Sequence, residues 1–411
     1  MRILFVLSCF PYPPHDGRKI KVFNILSFMG QRHDCDLIAF DRAPETCDVR
    51  ALKAACPGLK NVALHRERGG PLLRVDQLID LLMGGLTWQA RYRLPAFAQE
   101  IRATIQANHY DAIHVDEIGL TQGLPDMREN GVLSINDCTT LVYRYKIRAA
   151  GCLSRIFFSQ QLKLVARLEK SLHQSFRVVH VVTERDARYL RRLNPDLRVE
   201  VIPISLQNNA TSNAGQTTPE VRPKNVLTIG DCNTTWVRSG IVAFMLKAWP
   251  KIYCNIPGAR LTVLARPTDR GLLKAARQVP ACTLLSYVSN YAETLNQADV
   301  IVIPDEGGAG MKNRVLEVMA LGKPCALSLD AARGFEFDGV QDRLLFRDMD
   351  ECVGKVTAFL SDPVQAASIG AHLKSVARRH YSFEAVGQRW EMLYLGLRPG
   401  QRSGSKTQTG S

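Results

Sequence analysis

Residues 300–324, VIVIPDEGGAGMKNRVLEVMALGKP, decide the fold class. The apolar run before Pro304 reads as a strand buried on both faces. A glycine-rich loop follows. The spacing of Val315, Leu316, Val318 and Met319 then predicts a helix from near Met311, closed by Gly322 as helix C-termini prefer. Strand, loop and helix in that order place backbone N–H groups and a helix N-terminus at the carboxyl end of the strand, where anions bind. Lys312 and Arg314 fall in the first turn. A cation there opposes the helix dipole unless an anion is also present. Glu317, five residues into the helix near the loop side, can accept hydrogen bonds from two vicinal hydroxyls, such as those of a ribose. The alternative is a surface loop and a salt-bridged helix.

Working outward, the same alternation recurs along the chain. RILFVLSCF opens it, followed by an amphipathic stretch with Val22, Leu26 and Met29 on one face. CDLIAF, YDAIHV, GVLSIND, FRVVHVV and RVEVIPI are further buried strands. After Ile204 a polar stretch rich in Asn, Ser, Thr and Pro reads as a linker. The pattern then restarts with NVLTIG, a helix over residues 241–249 with Ile241, Phe244, Met245 and Ala248 inward, and the strands RLTVLA, CTLLSYV and PCALSL. Strand–helix alternation on both sides of a linker predicts an α/β chain of two Rossmann-like, doubly wound lobes facing across a cleft. The boundaries are an N-terminal lobe over 1–205, a linker over 206–224, a second lobe over 225–380, a closing helix over 381–398 and a disordered polar tail over 399–411.

Composition agrees and excludes other classes. At 411 residues and 46% hydrophobic, the chain is too long for one core, since single domains stop growing near ~250–300 residues. No apolar run is long enough for a membrane-spanning helix. The opening run lacks a small-residue cleavage site and reads as a first strand, not a signal peptide. Eleven cysteines with no C-x-x-C pair fit a reducing compartment and suggest no zinc site. Cys9, Cys35, Cys138, Cys254 and Cys325 read as small core hydrophobes. The net charge of +14 calls for an anionic partner. Residues 144–192 hold twelve basic side chains against Glu169, Glu184 and Asp186, most of the excess. Within them Lys163, Arg167 and Lys170 recur at helical spacing, with Leu164, Leu168 and Leu172 on another face. Either an anionic membrane surface or plain solvent faces that stripe. Interleaved aromatics on a sheet are missing, so nothing specific to nucleic acid is implied.

The 300–324 segment resembles the donor motif of retaining GT-B glycosyltransferases of the family 4 type, in which two glutamates eight positions apart hold a nucleotide-sugar. The opening loop and helix, RVEVIPI, VLTIGD and YSFEAVGQRWEMLY resemble other parts of that family, so the likeness runs over most of the chain. The nearest flavour is the exopolysaccharide-associated group, whose motif is similar to Gly308-Ala309-Gly310-Met311-Lys312-Asn313-Arg314. The resemblance implies that Glu317 binds the ribose, and that Lys312 with the backbone of Gly308, Ala309 and Gly310, flanked by Met311 and Asn313, meets the diphosphate or sugar. The first glutamate falls on Ala309, a departure for which Asp305 or Glu306 is the candidate substitute. Arg238, in a loop-to-helix stretch after Gly230, is the expected second cation, and Trp236 beside it stacks on a base or belongs to the core.

In the first lobe, PYPPHDGRK is a loop stiffened by three prolines. Gly17 allows close approach of a ligand, Asp16 is an N-cap, and Arg18 is a cation at a helix N-terminus. At the end of YDAIHVDEIG, His114, Asp116 and Glu117 gather at one strand end. Family relatives often show His-x-His-Glu there, so Asp116 takes the place of the second His and orients the acceptor hydroxyl. His114 is expected to point the other way as an interior histidine. The implied activity is transfer of a sugar from a nucleoside-diphosphate sugar to a lipid-linked or glycan acceptor, retaining configuration and without a metal or cofactor. The implied place is the cytoplasm or the inner face of the plasma membrane. A non-catalytic partner subunit is the alternative that Ala309 favours.

Overall fold

The computed structural model describes residues 1–207, 224–266 and 270–397. But for Leu206, Gln207 and Lys224, the expected linker lies outside the described residues, and so does the expected tail. The chain divides into two units. One comprises residues 1–205 with the segment from Phe383 onward, the other Leu206–Ser382.

The first unit is built on a seven-stranded, wholly parallel sheet. Its strands are β1 (Arg2–Leu7), β2 (Asp34–Asp41), β3 (Leu59–Arg66), β4 (Ala112–Asp116), β5 (Met127–Ser134), β6 (Phe176–Val181) and β7 (Val199–Val201). They run in the order β3-β2-β1-β4-β5-β6-β7. Ile3, Leu4, Phe5, Val6 and Leu7 are all buried, as a strand covered on both faces requires. The Gly17–Gly30 helix packs Val22, Leu26 and Met29 inward, as their spacing predicts. The Phe383–Leu395 helix belongs to this unit and buries Trp390 and Tyr394 in the same core. A Cβ at Gly387 would stand 2.1 Å from the Phe28 ring, so this helix seats only because that position has no side chain.

The second unit has a six-stranded parallel sheet. Its strands are β8 (Asn225–Asp231), β9 (Arg260–Arg266), β10 (Cys282–Leu285), β11 (Val300–Ile303), β12 (Cys325–Ser328) and β13 (Leu345–Phe346), in the order β10-β9-β8-β11-β12-β13. The edge strands β3 and β13 escape the sequence reading: β3 is only half-buried and its polar residues break the apolar run, and β13 is two residues long.

Three local expectations need correction. The helix expected over 241–249 is longer: Thr235–Ala243 continues through a wide π turn, Phe244–Ala248, into Trp249–Asn255. Pro250 has no N–H to offer the preceding turn, and the wide turn lets the chain pass it instead of stopping. Cys254 is exposed, not a core residue, whereas Cys9, Cys35, Cys138 and Cys325 are buried. The helix of the glycine-rich segment starts at Asn313, with Lys312 as its N-cap, two residues later than Met311. Its C-terminus is as read: Gly322 adopts φ 70°, a left-handed cap.

Candidate functional site

In a doubly wound sheet, ligands bind beyond the carboxyl ends of the strands, where the strand order reverses. That point lies between β1 and β4 in the first unit and between β8 and β11 in the second. The loops leaving those four strands carry most of the residues singled out by sequence.

In the second unit, β11 gives way to a loop whose glycines take backbone angles that other residues avoid: Gly307 at φ 155°, Gly308 at φ 105° and Gly310 at φ 65°. The loop folds around Lys312. Its ammonium donates to the carbonyls of Ala309 at 2.6 Å and Gly310 at 3.4 Å. Arg333 donates to the Gly308 carbonyl at 3.0 Å. The Trp236 indole lies against Gly308, and its carbonyl accepts from the Glu306 N–H at 3.1 Å. Glu306 itself is exposed and Ala309 is buried.

Arg314 does not wait for an external anion. It pairs with the buried carboxylate of Asp305, whose backbone carbonyl also accepts from Ser328 Oγ at 2.7 Å. Asp305 is therefore a structural partner and not a free substitute for the missing glutamate. Burial pushes its carboxyl up, and Arg314 pulls it back. Glu317 is half-buried on the Asn313–Leu321 helix, where it accepts the phenol of Tyr291. Burial raises its carboxyl, with Tyr291 and Arg314 pulling the other way. Met311 and Asn313 are half-buried beside it. Arg238 is exposed in the first turn of the Thr235–Ala243 helix. Gly230 is a packing glycine, since a Cβ there would meet Val237 Cγ1 at 2.4 Å.

In the first unit, Asp16 caps the Gly17–Gly30 helix by accepting from the Arg18 and Lys19 N–H groups, each at 3.0 Å. Gly17 is exposed at the first helical position. Burial opposes the charge on Arg18, but the field of Cys9, Tyr92, Glu117 and Asp16 more than offsets it.

The end of β4 differs from its reading. His114 and Asp116, two apart on a strand, share a face, so His114 does not point away: its Nε2 is 3.9 Å from Asp116 Oδ1. Both are buried. Asp116 pairs with Lys21 Nζ at 2.5 Å, and the same ammonium donates to Ser134 Oγ at 2.9 Å. Ser134 in turn meets His180 Nδ1 at 3.1 Å, and His114 Nδ1 meets the Tyr394 hydroxyl at 2.7 Å. Burial alone would push Asp116 up; Lys21 and His114 reverse that and hold it well below the usual carboxylate range. Burial keeps His114 and His180 neutral. His114 is thus an interior histidine, as expected, stacked edge-on against Trp390.

Asp116 is closed off by this network. The carboxylate outside this network is its neighbour Glu117, half-buried at the strand end. That residue holds φ 103°, a conformation rare for a side-chain-bearing residue and common at functional sites. Among the described residues the Glu117 carboxylate has no hydrogen-bond partner. Burial and then Asp116 raise it, while Arg18 and Lys21 act against them. The sequence reading missed Lys21. The signal was its place on the face of Ile25 and Phe28, where a lysine must find a buried counter-ion.

Lys163, Arg167 and Lys170 are exposed on the Cys152–Ser171 helix. The buried face is Gln161, Val165 and Glu169, continued by Leu172; Leu164 and Leu168 are only partly covered, which corrects the expected leucine stripe. Glu169 is an internal cap that accepts from Thr139 N at 2.6 Å and Thr140 N at 3.3 Å. No helix among the described residues is long and apolar enough to cross a membrane.

Residues 223–362 match the family model described as "Glycosyl transferases group 1". No curated protein matches the chain. Solved structures similar to it include sucrose-phosphate synthase from Thermosynechococcus elongatus, 17% identical over 97% of this chain and 99% of that one, with a TM-score of 0.67. HepE from Anabaena, in complex with UDP and glucose, is 14% identical over 95% and 98%, with a TM-score of 0.63. WaaG, a glycosyltransferase involved in lipopolysaccharide biosynthesis, is 12% identical over 95% and 99%, with a TM-score of 0.61.

Proposed function

We propose, for a chain that has the GT-B glycosyltransferase fold and whose residues 223–362 match the glycosyl transferases group 1 model, that it transfers a sugar from a nucleoside-diphosphate sugar to an acceptor hydroxyl with retention of configuration. The observation that carries the reading is the glycine-built loop at the switch point of the second sheet, with Lys312 at its centre and Glu317 behind it.

The second unit holds the donor. The backbone of Gly308, Ala309 and Gly310 and the Lys312 ammonium meet the diphosphate, Glu317 takes the ribose hydroxyls, and Arg238 adds positive charge. In the transfer step the acceptor oxygen bonds the anomeric carbon. The bond from that carbon to the diphosphate oxygen breaks with its electron pair, and the acceptor proton ends on the released nucleoside diphosphate. Fixed N–H donors and cations aimed at the departing charge stabilise that step without reorganising.

The first unit serves the acceptor. Asp116 is a positioning residue, because its pair with Lys21 fixes the end of β4, and Glu117 takes the acceptor hydroxyl. The acceptor is a lipid-linked or growing glycan of polysaccharide or glycolipid synthesis, met at the cytoplasmic face of the membrane, with Lys163, Arg167 and Lys170 toward the anionic surface.

The test is a thermal-shift screen over nucleoside-diphosphate sugars. A bound donor raises the melting temperature by mass action, and Glu317→Ala loses that response. Product formation with radiolabelled donor separates an enzyme from the partner subunit that Ala309 favours: donor binding with no transfer and no donor hydrolysis refutes the catalytic reading.

A further inference from the structure

The Gly70–Leu82 helix of the first unit inverts the pattern of a surface helix. Its carboxylates face the body of the unit: Asp80 is buried and pairs with Arg93 at 2.7 Å, and Asp76 pairs with Arg68. Most of its aliphatic side chains face out, with Leu73 and Leu81 half-buried. Leu72, Val75, Leu78, Ile79 and Leu82, with Met83 just past the end, are 48% to 82% exposed. The 72-75-79-82 spacing makes one continuous stripe along the helix. Scattered exposed aliphatics are ordinary, but a rimmed, contiguous row of six marks a contact surface.

The surroundings say what covers it. Gln161, on the Cys152–Ser171 helix, donates to the Gly85 carbonyl at 3.1 Å and accepts from Thr87 N at 3.2 Å, so the end of the apolar helix is fastened to the basic one. The basic helix exposes Leu153 and Ile156 at its start and Lys163, Arg167 and Lys170 further on. Arg74 is exposed at the margin of the stripe, one turn before Leu78. A second copy would bring the same positive charge against itself. An anionic surface with an apolar layer beneath complements both features.

We propose that the Gly70–Leu82 helix seats in the boundary between headgroups and acyl chains of an anionic bilayer, its leucines inserted, while the Cys152–Ser171 helix lies on the headgroups. This deepens the reading above by naming the element that meets the membrane. It rests on that reading only for the purpose of the contact, because vesicle binding requires no sugar transfer.

The experiment is co-sedimentation of the full chain with phosphatidylcholine vesicles, with and without phosphatidylglycerol. The native chain partitions onto the phosphatidylglycerol vesicles, and salt weakens the binding. Leu78→Ser/Leu82→Ser lowers the partition coefficient by about tenfold or more, as expected for two leucines lost from an apolar medium. Its melting temperature and its donor-induced shift stay native, which separates failure of this proposal from failure of the transfer reading. Leu72→Ser/Val75→Ser is the second variant, should the first fold poorly. The proposal is overturned if both variants sediment like the native chain or if the native chain ignores both vesicles. It is also overturned if light scattering shows a dimer that the variants dissolve, since the stripe would then meet a second copy.

Discussion

Replacing Lys21 with methionine tests the network that closes the end of β4. Lys21 and Asp116 are both almost fully buried and 2.5 Å apart. At an effective dielectric of about 20 their attraction is roughly 7 kcal/mol, most of it offset by the cost of taking both charges out of water. Removing one partner leaves the other buried and uncompensated, which costs about 3–5 kcal/mol. Methionine keeps the length of the stem, so packing contributes little to the loss. In a unit of this size the melting temperature falls by roughly 10 °C.

The sign of the pH dependence follows from the carboxylate. In the native chain Lys21 holds Asp116 below its unfolded value, so its stabilisation is in force above about pH 4 and fades as the pH falls toward the depressed folded value. Without Lys21, burial raises Asp116 above its unfolded value. The deficit of the variant is then largest near neutrality and shrinks as the pH falls through about 4, where the unfolded chain is protonated too. Urea unfolding of the native chain, Lys21→Met, Asp116→Asn and the double variant gives the cycle. The double variant regains about 2 kcal/mol or more relative to the sum of the singles. A cost for Lys21→Met under about 1 kcal/mol, a deficit that does not change between neutral pH and about pH 4, or additive singles would each refute the reasoning.

Three further outcomes follow from the same geometry. Native stability falls as the pH drops below about 6.5, because the unfolded chain protonates the two histidines that the folded chain keeps neutral, at up to about 1.4 kcal/mol per histidine per pH unit; a flat urea midpoint between about pH 7 and pH 5 contradicts it. Gly308→Ala puts a Cβ 2.8 Å from Trp236 Nε1 at φ 105°, costs about 1–3 kcal/mol and abolishes the donor-induced shift in a thermal assay, so retained binding would show that the loop is not the donor cradle. Gly240→Ala puts a Cβ 1.9 Å from the Pro304 carbonyl with backbone on both sides, and loses about 3 kcal/mol or more in chemical denaturation, with native-like stability as the disproof.

What the sequence revealed and what it concealed divide along a physical line. Runs such as VIVI and ILFVL are legible because a strand covered on both faces has no polar position to confuse the pattern. Gly322 is legible because a left-handed cap favours one residue type. Partnership is not legible. Arg314 looked like a cation awaiting an anion, and its carboxylate sits nine positions upstream across a loop; Lys21 finds Asp116 from ninety-five positions away. The Gly70–Leu82 helix shows a different limit. Its apolar period is plain, yet a period fixes only which residues share a face, and here that face turns away from the core.

The two units answer the same problem alike, and that bears on which cation can turn to a ligand. β4 in the first sheet and β11 in the second occupy matching places, each across the switch point from the opening strand. At or just past the end of each stands a buried aspartate, Asp116 or Asp305, paired with a cation from a helix, Lys21 or Arg314. Lys21 and Arg314 are therefore neutralised internally, and neither can serve an incoming anion without unpairing its aspartate. Lys312 differs in what its ammonium donates to, the carbonyls of Ala309 and Gly310 on the loop before its helix, while Asp305 also lies within its field. Exchanging a carbonyl for a phosphate oxygen sets an anion in place of a dipole against the ammonium, which strengthens the contact. The donor thus gains an ion pair in exchange for two ammonium–carbonyl hydrogen bonds. In the proposed reaction Lys312, rather than Arg314, is the group whose removal lowers donor affinity most.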